Sequence, residues 1–412
     1  MIELKLKFNG GGVFLLRPKR ILVWISVFGL LLLDSGFYFV AQGGIFLLLQ
    51  VIFCVTLVLV SGGQIHKNLL VIYALFVFFI TVSTTLNGDS FRDASVTIIE
   101  FFNALLIAES IRNKNGGMVI EICRKMMLLI SLESFVLYLI CLVKIDALSA
   151  LPILNNTGEM PAYFVGFSFA YAPRAYYVAR NLGLFWEPGA FSTYILLALG
   201  YEMFVFPQRS KAALMILSLT LITTLSTTGI ICGLGLWIVF AFTHEKRTYG
   251  ALLSLLLIAI VCFVTFFSDL LPEYIRFSLF TKVSAIFTGT SKEFVTVNTR
   301  VDSFAIGLQL FLKNALTGIG RSMEELKQIM GNGTASCTPI NWFAQYGVFV
   351  GSLICVGMVR FIKNYSRSSF QMIAFLTIAV LSVSTEAFNY TPTLLFLIYL
   401  GYLCNTSSSR NQ

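Results

Sequence analysis

The sequence predicts an all-α polytopic membrane protein with about 12 transmembrane helices and two long, partly helical external segments. Three observations predict it. Of the 412 residues, 57% are hydrophobic and 12% charged, with a mean hydropathy of +0.84. A water-soluble core cannot hide that share of apolar surface, whereas a bilayer accepts it on the outside of helices. The apolar residues also fall in runs of membrane length, and the basic residues alternate between the connections on opposite sides.

A hydrocarbon core of roughly 30 Å takes about 20 apolar residues per helix. That rule marks spans at 21–40, 45–60, 69–85, 96–111, 126–143 and 188–206. It marks six more at 212–226, 228–243, 250–267, 346–362, 370–387 and 391–404, the run at 96–111 being the weakest. Lys and Arg collect on the cytoplasmic side. With the N-terminus inside, the inner segments hold Lys5, Lys7, Arg17, Lys19 and Arg20, then Lys67, Arg112, Lys114, Arg124 and Lys125. Arg209, Lys211, Lys246, Arg247, Arg360, Lys363, Arg367 and Arg410 continue the series. The short outer connections hold only Arg92. Both termini are therefore expected inside. The net charge of +9 becomes a topology signal, not a nucleic-acid surface. The basic N-terminus followed by Ile21–Leu33 resembles a signal peptide, but the long apolar run without a cleavage site reads as a retained first span.

The chain thus divides into N-terminal helices over 1–143, a first large external segment over 144–187 and central helices over 188–267. A second large segment covers 268–345, and C-terminal helices with a short tail cover 346–412. Segments of such length are uncommon unless they have a function. Their charges nearly cancel: three basic and three acidic residues in the first, seven and six in the second. The eight Cys fall mostly in apolar runs, only Cys337 lying well inside an external segment, so no disulfide framework is expected.

In the first segment, Arg180-Asn181-Leu182-Gly183 runs through Trp186-Glu187-Pro188 straight into a span. Pro188 suits the first helical turn, and Glu187 stands at the N-cap, where its carboxylate meets free N–H groups at the positive end of the helix dipole. That end is a physical basis for an anion site, to which Arg180 adds a bidentate phosphate contact. A structural cap and an interfacial arginine reaching for headgroups explain the same residues. Upstream, Tyr163, Phe164, Phe167, Phe169, Tyr171, Tyr176 and Tyr177 fit either an aromatic belt or a sugar-stacking surface.

In the second segment, Asn298 to Asp302 opens a helical pattern whose Val301, Phe304, Leu308 and Leu312 make one apolar stripe on a membrane-surface helix. It stops at Thr317-Gly318-Ile319-Gly320-Arg321, read either as a helix stop or as an anion nest of successive N–H groups. Arg300 is positioned to pair with nearby Asp302, and Asn341-Trp342 precedes Gly347 and the next span.

Taken together, these pieces resemble the Wzy-type polymerase and O-antigen ligase superfamily of bacterial surface-polysaccharide assembly. The matching pieces are Arg180-x-x-Gly183-x-x-x-Glu187-Pro188, Leu225-Ser226-Thr227-Thr228-Gly229, Arg300 leading through Asn314 to Gly320, and Asn341 followed by Gly347. The resemblance implies a GT-C-like fold in the bacterial inner membrane. It implies metal-independent glycosyl transfer at the periplasmic face, moving a glycan from undecaprenyl pyrophosphate to an acceptor sugar. Donor and acceptor glycans, membrane lipids, a chain-length regulator and a flippase are the implied partners. By the same resemblance Arg180 and Arg300 engage the pyrophosphate, and Glu187 is the candidate base for the acceptor hydroxyl. Arg321, Asn341, Glu386, Tyr176 and Tyr177 are candidate substrate-binding residues. No cofactor and no metal are expected, since the external segments carry no P-loop, ligand cluster or DxD. Ligases of the superfamily carry a His before the corresponding Asn; here Pro339-Ile340-Asn341 stands, and His66 and His244 fall on the inner side, which favours polymerase. The rival class is a flippase or secondary transporter. Of the acids within spans, Asp34, Glu100, Glu109, Glu133, Glu202 and Glu386, only Glu133 reads as deep, with no basic partner at that depth.

Overall fold

The computed structural model describes residues 4–7, 13–16, 18–37, 44–144, 148, 153–155, 161–171, 180–206, 208–243, 294–321, 329, 337–384, 388 and 390–403. The expected span at 250–267 lies outside them, as do Tyr176, Tyr177 and Glu386. A short hairpin, β1 (Leu4–Lys7) and β2 (Val13–Leu16), precedes the helices. Then come α1 (Pro18–Leu33), α2 (Gly44–Ser61), α3 (Lys67–Asn87), α4 (Phe91–Arg112) and α5 (Gly116–Lys144). The centre of the chain holds α6 (Pro188–Phe204), α7 (Lys211–Thr223) and α8 (Thr227–Thr243). The remainder holds α9 (Phe294–Lys313), α10 (Thr338–Tyr365), α11 (Ser369–Ser384) and α12 (Pro392–Leu403).

Four of these, α2, α3, α4 and α10, are long and apolar enough to cross a membrane. Large apolar side chains point outward from the bundle, among them Leu48, Leu59 and Phe78 at 58%, 69% and 60% exposure, as a lipid-facing surface requires. The protein is a predominantly helical membrane protein.

Polar contacts sort the helix ends into two groups. At one end Arg20 pairs with Glu121, His66 with the buried Glu109, and Arg124 with Glu202, while Arg112 donates to the carbonyl of Leu403 at the end of α12. At the other, here called the upper end, α1 and α3 finish and α4, α6, α10 and α12 begin. There Gly36 N donates to Leu184 O, and the Ser83 hydroxyl to Thr317 O.

The first external segment is not helical where it is described. It folds as an antiparallel sheet of β3 (Ile153–Asn155), β4 (Pro161–Val165) and β5 (Ser168–Tyr171). Aromatic and β-branched residues favour strands, and Gly166 supplies the positive φ (53°) of a two-residue turn. Glu133, expected as the deep acid, reaches up from α5 and accepts the N–H of Phe167 at 3.0 Å, fixing that turn. Three described rings of the expected aromatic cluster, Phe164, Phe167 and Phe169, pack inward. Phe167 stacks edge-on against Phe28, and Phe164 and Phe169 against Phe37, so they join the sheet to the end of α1.

Helix α9 confirms the expected helix in the second segment. It lays Ser303, Gly307 and Leu310 toward α10, with Gly307 against Ile340 and Phe311 edge-on to Phe343. Phe304 and Leu312 of the expected stripe remain exposed, at 48% and 66%.

Helix α10 is broken at Gly347, whose φ of 75° and ψ of −171° only glycine adopts easily. A Cβ there would collide with the carbonyl of Leu316. Gly347→Ala is expected to cost about 1–3 kcal/mol, seen as a lower unfolding midpoint in detergent. Gly200→Ala, at an open position in α6, is the control and should leave the midpoint unchanged or raise it.

Candidate functional site

At the upper end the residues before α6 meet the α7–α8 turn, and the residues after α9 meet α4 and α10. Arg180 donates from Nε to Thr224 O at 3.2 Å and from Nη2 to Leu225 O at 3.1 Å. Those carbonyls belong to the α7–α8 turn, where Leu225 is held at a φ of 48°, a strained value for a side chain of its size. Asn181 joins the same turn through Thr223 and receives the N–H of Gly183. The arginine motif and the Leu225–Gly229 motif are therefore in contact. Here Arg180 binds backbone carbonyls and holds the turn between the two helices.

Glu187 occupies the N-cap position of α6 with Pro188 in the first turn, as the sequence predicts. Its carboxylate makes no capping hydrogen bond and is exposed, so the expected cap interaction is absent.

The other two motifs also meet. Ile319 N donates to Ala344 O at 2.8 Å, Gly320 N to Gln345 O at 3.0 Å, and Val348 N to Ala315 O at 2.7 Å. Gly318 and Gly320 both have positive φ, and a Cβ on either would strike Gln345 or Asp89. The turn is not an anion nest. Its successive N–H groups are taken up by Asn314 O, Ala344 O, Gln345 O and, from Arg321, the carboxylate of Asp89. Closure of the turn uses the four successive donors of Gly318 to Arg321.

That turn drives Arg321 into the bundle. Its Nη1 donates to Asp93 O at 3.1 Å, to the Thr97 hydroxyl, and to Glu100 Oε2 at 3.5 Å. Its guanidinium carbon sits 4.1 Å from the centroid of the Tyr390 ring. Tyr390 donates to Gln345 Oε1 at 2.5 Å, and Tyr346 lies 3.0 Å from the Thr97 hydroxyl. Arg321 and Glu100 are 19% and 13% exposed. Desolvation alone would lower the arginine's pKa; attraction from Glu100 leads the opposing interactions that leave it above its ordinary value, a permanent cation.

Asp93, Thr97 and Glu100 fall on one face of α4, at i, i+4 and i+7. Glu100 stands near the middle of a helix that runs from Phe91 to Arg112, longer at its upper end than the span expected at 96–111. This corrects two readings: Glu100 is deep, and it has a basic partner. Asp34 is the second deep acid, 9% exposed just past α1 and within electrostatic range of Glu100. No spacing reveals the Arg321–Glu100 pair, whose members are 221 residues apart.

Arg300 lies in α9, with its side chain outside the described residues. Asn341 is fully buried in the first turn of α10. The two motif pairs are joined through Phe388, which meets the ring of Trp186 edge-on at 5.7 Å and donates its N–H to the Thr338 hydroxyl at 2.9 Å. No group of three or more His, Cys, Asp and Glu with metal-ligand placement exists among the described residues. Compared with protein-family models and with curated proteins, the sequence gives no match.

Losing either charge of the Arg321–Glu100 pair strands the other in a low-dielectric site. Arg321→Met should cost about 2–3 kcal/mol, less than full burial implies because both groups keep some exposure. Adding Glu100→Gln should return part of that loss, a coupling measurable in a double-mutant cycle of unfolding midpoints.

Proposed function

We propose that this chain is a polymerase that joins undecaprenyl-pyrophosphate-linked oligosaccharide units into O-antigen or a related surface polysaccharide. On this reading it is a GT-C-like inner-membrane protein with about twelve spans, both termini in the cytoplasm and its upper end in the periplasm. One observation carries the reading. The four sequence motifs that resemble the polymerase superfamily, far apart in the chain, converge at one end of the helical bundle around arginines.

The chemistry follows from the charges. The acceptor hydroxyl attacks the anomeric carbon, the bond from that carbon to the pyrophosphate oxygen breaks, and lipid pyrophosphate departs with the bonding electrons. Fixed guanidinium groups stabilise the negative charge developing on it without reorganisation. Arg321, held against α4 and Tyr390 at the upper end of the bundle and still partly exposed, is assigned to this role. Arg180 and Arg300 are assigned to the same pyrophosphate. The hydroxyl proton goes to Glu187, whose carboxylate is not engaged in capping.

A second reading, a lipid-linked oligosaccharide flippase or secondary transporter, draws support from Asp34 and Glu100 inside the bundle. Buried carboxylates at membrane depth are characteristic of transport paths.

The purified protein with its lipid-pyrophosphate-linked repeat unit, in EDTA and without nucleotide, is expected to yield a polysaccharide ladder on a gel. Arg321→Lys, which keeps the charge but loses the fork geometry, should reduce product by about 100-fold or more. Arg300→Ala and Arg180→Ala should also lose the ladder, each checked for folding. If the wild type makes no ladder yet moves the lipid-linked unit across proteoliposomes, the transporter reading replaces this one.

A further inference from the structure

We propose that the lower end of the bundle, opposite the upper end, binds an anionic phospholipid whose phosphate sits between Arg209 and Arg367. There α6, α8 and α10 finish and α7 and α11 begin. Their ends border a cleft of about 510 Å³, within the size range of small-molecule sites. Phe204, Phe240 and Phe242 give it an apolar wall, and Arg209, Arg367 and Ser368 a polar one. No Asp or Glu lines it among the described residues.

The second observation is unanswered charge. The carboxylates described at this end are already taken. Glu121 pairs with Arg20 and Lys125, Glu109 with His66, and Glu202 with Arg124 and the N–H of Ser210. Among the described residues neither Arg209 nor Arg367 forms an ion pair, and neither guanidinium donates a hydrogen bond. A positive bias on one side of the membrane accounts for arginines at this end. It does not account for two of them on one cleft that lacks a carboxylate.

The positions are held from behind. The guanidinium carbon of Arg209 lies 5.3 Å from the centroid of the Phe240 ring, part of the apolar wall. Its neighbour Ser210 is fixed twice: its N–H donates to Glu202 Oε1 at 2.6 Å, and its hydroxyl accepts the N–H of Ala213 at 3.2 Å. On the other side the N–H of Arg367 donates to Gln371 Oε1 at 2.7 Å, and the N–H of Gln371 to Ser368 Oγ at 3.2 Å. This reciprocal cap sets the turn before α11. Both arginine backbones are therefore placed before any ligand arrives, which lowers the cost of binding one.

The chemistry of the two walls selects the occupant. Guanidinium forks match phosphate oxygens, and the Ser368 hydroxyl keeps a hydrogen to donate. An inorganic anion would use the polar wall alone and leave the aromatic wall wet. The rim is apolar as well: Phe242 and Phe370 meet edge-on at 6.4 Å, and both are exposed, as is Tyr365. Exposed rings at helix ends mark the level of the headgroups. A molecule with a phosphate at that level and a hydrocarbon chain beside it is a phospholipid of the surrounding leaflet, and basic clefts between helices suit anionic ones. A zwitterionic lipid brings its own cation, which the two arginines repel. The inference does not depend on the glycosyl-transfer reading.

The test titrates the full-length protein in detergent with phosphatidylglycerol, with phosphatidylcholine of the same chains, or with inorganic phosphate. Bound lipid is counted by native mass spectrometry, and the unfolding midpoint is followed in parallel. Saturable binding of phosphatidylglycerol is expected, with a midpoint that rises as binding to the native state demands. Phosphatidylcholine and inorganic phosphate should do neither. Arg209→Gln combined with Arg367→Gln should weaken the phosphatidylglycerol affinity by about 30-fold. Both side chains are exposed and free of ion pairs, so the double variant should keep its lipid-free midpoint. Arg360→Gln, which removes a basic residue set over the Tyr402 ring outside the cleft, should leave the affinity unchanged. Equal affinity for the two lipids, an equal loss in Arg360→Gln, or an equal midpoint rise with inorganic phosphate overturns the proposal. The second of these would mean diffuse surface charge, and the third a site for a soluble anion.

Discussion

A guanidinium lodged among apolar helices costs several kcal/mol unless its charge and its donors are answered. Arg321 is answered from three directions, and the upper end is shaped by that requirement. Helix α4 contributes Asp93 O, Thr97 and Glu100 on one face, the connection before α12 contributes the Tyr390 ring, and Asp89 takes the arginine's own N–H. For these to converge, the turn at Thr317–Arg321 must be drawn tightly against α10. Positive φ at Gly318, Gly320 and Gly347 permits it, with backbone approaching backbone at Gly318 and Gly347 and the Asp89 carboxylate lying against Gly320, where a methyl group would not fit. The break in α10 is thus part of the same arrangement that holds the arginine.

Helix α4 explains why the sequence spoke so weakly over 96–111. It packs against α2, α3 and α12, and its buried residues include Thr97, Asn103, Glu109 and Ser110. A rule that counts apolar residues assumes that lipid surrounds the helix. Where other helices surround it, side chains face protein, and polar groups with partners are tolerated there. Among the four helices long enough to cross a membrane, α4 is the most enclosed and shares with α10 the weakest hydropathy signal.

Helix positions elsewhere were legible because lipid-facing helices such as α2 and α3 obey that rule. The pairing of the motifs was legible only as their order, not as contacts. Some alternatives fell away for physical reasons that one-dimensional spacing does not carry. The GxG turn has its N–H groups used in closing against α10, so it offers no nest. The aromatic run before residue 170 alternates as a strand does, and its rings fill the space beside Phe28 and Phe37. Glu100 and Asp34 were visible as acids in apolar runs, but depth and partner depend on where residue 321 folds back. Arg180 stands between these cases: its prominence was legible, while its hold on Thr224 and the strained Leu225 was not.

The two acids and the arginine also constrain how an anion can bind. A pyrophosphate that takes the donors of Arg321 takes them from Glu100, which then keeps the like charge of Asp34 within range while its pairing charge is withdrawn. Two like charges within range in a low-dielectric bundle repel, and one of them must be neutralised. A proton taken up by either carboxyl does so. By linkage, the two binding events then strengthen each other, since each removes the cost that the other creates. On this argument the polar groups beneath Arg321 are a counterweight that sets how readily the arginine is released to a lipid-linked anion. The same reciprocity serves either proposed activity, a polymerase that must let its pyrophosphate product go or a transporter that must load and unload.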